Sequence, residues 1–180
     1  MVASIAAACH DARMDQTSLR ILVTGGTFDK DYHELEGRLF FRATHVPEML
    51  RLGRCRVGVV VEPLMLIDSL EMTDADRARV LAACRGASEE RIVITHGTDT
   101  MELTARVVGA AKLAKTIVLT GAMVPYTFGS SDGLFNLGGA LAFAQALPHG
   151  TYVAMNGRCL GWDNVRKNKS TGVFEPHEGE

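Results

Sequence analysis

The sequence lacks a strong charge of either sign. Over 180 residues the formal net charge is -2, so nothing in the balance draws the chain to nucleic acid or to an anionic membrane surface. It is poor in cysteine. Cys9, Cys55, Cys84 and Cys159 stand far apart, with no CxxC pair and no metal-type spacing, which argues against a disulfide framework in a chain of this size. No apolar run approaches the length of a membrane span. The small apolar segment Val2 to Cys9 has no basic leader and is too short for a secretory signal, so the expected location is cytoplasmic. The six histidines form no HxxxH or HExxH pair, so neither a metal nor any other cofactor is expected. There is no GxGxxG and no GxxxxGK[ST], which disfavours a phosphate loop and a nucleotide ligand.

What is present is an apolar content of 47%, enough for one buried core and one domain. Residues 1–18 show no periodicity and read as a loose tail, leaving residues 19–180 as a single domain. From Leu19 onward two textures alternate. Short runs rich in β-branched residues occur at Arg20 to Thr24, Arg56 to Val61, Arg91 to Thr95, Thr116 to Thr120 and Thr151 to Met155. Their nearly continuous apolar character is that of strands buried on both faces. Helix-like segments lie between them: His45 to Leu52, Asp74 to Arg85, Thr100 to Leu113 and about Ser131 to Leu147. Thr73 or Asp74 can cap the second, and Thr98 or Asp99 the third. This alternation predicts an α/β fold, a three-layer domain of flavodoxin-like or Rossmann-like type with about five core parallel strands. In open sheets of this kind ligands bind beyond the carboxyl ends of the strands, so the residues following each strand hold the site.

Those residues are rich in hydroxyls and glycine. Gly25-Gly26-Thr27 follows the first strand and permits close backbone approach to a ligand. Asp68-Ser69 follows the second, where Ser69 has the alternative role of a turn or cap residue. His96-Gly97-Thr98-Asp99-Thr100 follows the third and opens a helix whose amide groups favour a carboxylate. His96 reads as a structural, hydrogen-bonding histidine. Gly121-Ala122-Met123-Val124-Pro125 follows the fourth, with Ser131-Asp132-Gly133 and Asn136 beyond it. Asn156-Gly157-Arg158 follows the fifth, and the short basic cluster Arg166, Lys167, Lys169 comes next. Hydroxyls, one carboxylate and one amine can therefore converge on one rim. A threonine hydroxyl is a weak nucleophile until a base stands beside it, and a partly desolvated lysine can serve as that base.

These blocks resemble the bacterial-type L-asparaginases. Gly25-Gly26-Thr27 is similar to the family's first signature, and Thr95-His96-Gly97-Thr98-Asp99-Thr100-Met101-Glu102 to its second. Gly121-Ala122-Met123-Val124-Pro125 and Ser131-Asp132-Gly133 with Asn136-Leu137 resemble two further blocks, in the family's order. The resemblance implies hydrolysis of L-asparagine to L-aspartate and ammonia through an acyl-enzyme, with Thr27 as nucleophile. Tyr32 would move its proton, and Thr98 would pair with the Lys167 amine. Asp99 would hold the substrate ammonium and Ser69 its carboxylate, with Gly26, Gly97 and Ala122 lining the pocket. Family members are usually about twice this length, with a C-terminal domain and an acidic residue from a neighbouring subunit. Glu34, Glu36, Glu175 and Glu178 are stand-ins for that acid here. Closing the rim would then require a homo-oligomer. Two alternatives remain: broader asparagine and glutamine hydrolysis, and a non-catalytic amino-acid-binding module, for which neither Thr27 nor Lys167 would be needed.

Overall fold

The computed structural model describes residues 18–177. The expected tail up to residue 17, Cys9 and Glu178 lie outside the described residues. The chain runs β1 (Leu19–Gly25), β2 (Lys30–His33), β3 (Arg38–Phe41), α1 (Val46–Leu52), β4 (Val59–Ile67), α2 (Asp74–Gly86), β5 (Arg91–Thr95) and α3 (Met101–Ala110). It continues with β6 (Thr116–Thr120), α4 (Gly133–Ala146), β7 (Gly150–Met155), β8 (Arg158–Gly161), β9 (Arg166–Lys167) and β10 (Phe174–Glu175).

The central sheet has the order β4-β1-β5-β6-β7-β8. Its first five strands are parallel, and β8 runs antiparallel to β7. Taken in chain order, the parallel strands lie 2-1-3-4-5, which is the flavodoxin-like arrangement. Alternation along each strand divides the core into two layers. Leu19, Ile21, Val23, Val93 and Val118 pack with Val46 and Met49 of α1 and Leu137, Ala140 and Ala144 of α4. Leu22, Ile92, Ile94, Ile117 and Leu119 pack on the opposite face with Val80 and Cys84 of α2 and Met101, Ala105 and Val108 of α3. Strands clothed on both sides need apolar side chains at nearly every position, which is why the runs carry little visible period.

Several local features depart from the sequence expectation. The second strand spans Val59–Ile67 rather than residues 56–61, because pairing with β1 begins at Leu19 opposite Val59. Pro63 does not end it, since β4 is an edge strand and can spare a donor. Three elements were not anticipated: β8, the ribbon β2–β3 and the short ribbon β9–β10. The N-cap position of helix α3 is Thr100, not Thr98 or Asp99, and its side chain makes no cap bond. Thr73 caps α2 through a reciprocal pair of bonds with Asp76, one of the two caps foreseen.

Candidate active site

Chain direction reverses its sideways progress between β1 and β5: β1 is followed by β4 on one side and then by β5 on the other. The crevice at the carboxyl ends of these two strands is where open α/β sheets hold ligands. The turn after β1 enters it at positive φ, +96° at Gly25 and +81° at Gly26, conformations that side chains with a Cβ rarely adopt. The glycines also remove bulk. A Cβ on Gly26 would lie 2.3 Å from the Gly97 nitrogen, and one on Gly97 would lie 2.6 Å from the Ser69 hydroxyl. The loops after β1, β5 and β4 therefore stack at backbone thickness, with Thr27 and Thr98 each following a glycine of that contact. Thr27 opens a 3-10 turn, Thr27–Asp29, and is half-buried.

Beside this contact stands a lysine. The Lys167 amine donates to the Thr98 hydroxyl at 2.8 Å and to Asp99 Oδ1 at 2.7 Å. Thr98 is buried and the lysine side chain is 11% exposed, whereas the Asp99 side chain is 50% exposed and faces solvent. Thr100 occupies the N-cap position of α3, but its side chain makes no cap bond. Its hydroxyl donates to the Ser69 carbonyl at 2.7 Å and accepts from the buried Arg77 guanidinium at 3.3 Å. Arg77 also donates to the Met72 carbonyl at 3.0 Å, clamping the 69–72 turn to the start of α3. His96 is fully buried, its Nδ1 on the Gly97 carbonyl at 2.7 Å and its Nε2 on the Thr104 hydroxyl at 2.7 Å. Burial pushes its pKa down to about 4 against the weaker pull of the carbonyl, so the ring is neutral. It is the structural histidine expected.

The remaining predicted residues are dispersed. Ala122 is fully buried, so only its backbone can meet a ligand. The block around it is a bracket. Asp132 accepts from the Met123 and Val124 nitrogens, and Asn136 donates to the Gly121 carbonyl and accepts from the Asn156 nitrogen. Tyr32 lies on β2, 56% exposed and edge-on to Phe128. Its hydroxyl points to the hairpin turn, 4.0 Å from where Gly37 would carry a Cβ, and the described residues show no hydrogen bond from it to Thr27. Among the expected acids, Glu36 pairs with Arg38 and Glu175 with Arg166.

Other polar groups of the site were not foreseen. Asp29 is fully buried and accepts from the Thr44 hydroxyl and the His45 nitrogen, both at 2.9 Å. Burial outweighs those bonds and raises its pKa. Lys30 pairs with Asp68 beside Ser69. Burial pulls the Asp68 carboxyl up, but the lysine and the Leu70 N–H outweigh it and hold it below the usual range. Glu102 accepts the Lys167 backbone N–H at 3.0 Å. Its presence in the second signature was the one available signal. Among the described residues, no cluster of histidine, cysteine and carboxylate side chains is placed to hold a metal.

The family model described as Asparaginase, N-terminal, matches residues 18–175. The chain belongs to the asparaginase family. It is 34% identical to a probable periplasmic L-asparaginase of Haemophilus influenzae over 91% of this chain and 50% of the relative. It is 31% identical to an L-asparaginase of Thermococcus kodakarensis over 86% of this chain and 49% of that one. The asparaginase family member described here thus spans about half the length of the curated relatives it matches. Among solved structures, the thermostable L-asparaginase of Thermococcus kodakarensis superposes with a TM-score of 0.76 at 31% identity, covering 88% of this chain and 51% of that chain. A probable cytoplasmic L-asparaginase of Campylobacter jejuni gives 0.74 at 31% identity, covering 88% and 52%. An L-asparaginase I of Vibrio cholerae gives 0.80 at 24% identity, covering 89% and 51%, a likeness of fold.

Proposed function

We propose that this asparaginase-family chain hydrolyses L-asparagine to L-aspartate and ammonia, and does so in the cytoplasm. The observation that carries the reading is the Lys167 amine held 2.8 Å from the buried Thr98 hydroxyl, next to the glycine contact that brings Thr27 to the same crevice. Thr27 attacks the side-chain amide carbon. Its hydroxyl proton leaves with the amide nitrogen as ammonia, and the acyl group stays as an ester on Thr27. Water, positioned by Thr98 and Lys167, then attacks the ester and restores the threonine. Asp99, half exposed at the rim, takes the substrate ammonium, and Ser69 takes its carboxylate. The backbones of Gly26, Gly97 and Ala122 line the pocket. Tyr32, whose hydroxyl faces the Gly37 turn in this structure, would have to reorient to relay the proton of Thr27. No metal or other cofactor enters this scheme.

A second reading, hydrolysis of both asparagine and glutamine, is favoured by a relative of Pseudomonas fluorescens named glutaminase-asparaginase, 39% identical over 86% of this chain. One methylene separates the substrates, and such a difference is worth only about 1–3 kcal/mol in a pocket. Ammonia release from each amide tests both readings. Asparagine turnover should fall by about three orders of magnitude or more in Thr27→Val, a change that keeps shape and removes the nucleophilic oxygen. Near-normal turnover in a folded Thr27→Val protein rules out the nucleophile, and no ammonia from either amide rules out the function.

A further inference from the structure

Lys167 sits on β9, a strand of two residues outside the central sheet, paired only with β10 through Phe174 opposite Lys167 and Glu175 opposite Arg166. A ribbon this short does not fix a lysine by itself, and the side chain adds a long flexible stem between backbone and amine. Two buried side chains, Val165 and Phe174, seat the ribbon on the α2–α3 layer of the core. One polar contact then sets its position along α3: the Glu102 carboxylate accepts the Lys167 N–H at 3.0 Å. Glu102 is half-buried in the first turn of α3. The segment entering that helix also carries Thr98 and Asp99, which hold the other end of the same lysine at 2.8 Å and 2.7 Å. Both ends of Lys167 are thus referred to one element, within five residues of chain.

We infer that Glu102 is a positioning residue for the proposed amide hydrolysis: by fixing the backbone of Lys167 against α3 it sets where the amine meets Thr98. The inference rests on the reading of Thr98 and Lys167 as a working pair. The simpler role of Glu102, a carboxylate in the first turn that favours the helix dipole, predicts a loss of stability without a particular effect on turnover.

Glu102→Met keeps the helix and the bulk of the side chain while removing the acceptor. Misplacing a working group by about 1 Å costs about a hundredfold in rate, so kcat should fall by about that factor with KM changed by less than about threefold. Glu102→Gln retains an acceptor oxygen and should recover at least about tenfold of the loss. Crystal structures of wild type and Glu102→Met give a readout independent of turnover: in the variant the Lys167 amine should leave Thr98 while the fold and Tm hold. A variant that keeps the 2.8 Å contact, or loses only Tm, overturns the inference. Should the wild type release no ammonia, the proposed function fails, and the crystal structures still decide whether Glu102 places the lysine.

Discussion

Two residue-scale features, the Thr98–Lys167 contact and the buried His96, each make a measurable claim. Thr98 and Lys167 share one hydrogen bond, so under the proposed mechanism removing either disables the same unit. Thr98→Val and Lys167→Met should each cost several orders of magnitude in turnover, and the double variant should be little worse than either. Groups acting together are strongly non-additive; losses that multiply in steady-state kinetics mean that the two side chains work separately. His96 makes its claim on stability. Its ring is held neutral, with a pKa of about 4 when folded against 6.5 when free. Between those values the unfolded chain binds the extra proton, so stability is full above pH 6.5 and declines as pH falls toward 4. The loss approaches about 3 kcal/mol at and below the lower value. Urea unfolding at pH 7 and pH 4.5 should show that decline, and His96→Gln should flatten it. An unchanged pH slope in the variant places the proton elsewhere.

At the scale of elements, the buried central strands were legible and the short strands outside them were not. Buried parallel strands must be apolar throughout, and so Arg91 to Thr95 and Thr116 to Thr120 announce themselves at their observed bounds. Strand β8 escaped because four residues with polar ends make no such run. The turn before it was nevertheless written plainly: Asn156 and Gly157 both take positive φ, 52° and 79°, the two-residue hairpin that an Asn-Gly pair encodes. The β2–β3 hairpin hid in a charged stretch that reads as loop, and with it went the direction of the Tyr32 ring. The second-signature block was readable because it directly follows the buried strand β5. The bonds that Glu102 and Arg77 make were not, since each reaches a segment remote in sequence. The bracket formed by Asn136 joins three elements, β6, α4 and β7, through bonds of 2.8–2.9 Å. Asn136 is 2% exposed, so Asn136→Ala leaves buried polar groups unpaired at about 1–3 kcal/mol each. A drop in the urea midpoint with unchanged slope is the expected result; a midpoint shift equivalent to under about 0.5 kcal/mol would mean that the bracket holds without it.

For the whole molecule, the end of the sheet that carries the candidate site is the open end. Asp99 faces solvent, and Leu70 and Met123, one residue beyond Ser69 and Ala122, are 71% and 44% exposed. Water at this rim weakens each electrostatic contact inside it. The protein is therefore expected to be a homo-oligomer, at least a dimer, with a second copy covering the rim. Light scattering coupled to gel filtration measures this directly, and a strict monomer hydrolysing asparagine at full rate would refute it. The glycine contact between the first and third parallel strands has a different consequence. The two threonines hang from neighbouring strands of the sheet, whereas the lysine and the tyrosine hang from two-stranded ribbons outside it. Weakly anchored parts open at lower free energy than a sheet interior. On gradual warming, Lys167 and Tyr32 would drift while Thr27 and Thr98 stayed in place, so the proposed activity would be lost before the sheet unfolds and would return on cooling.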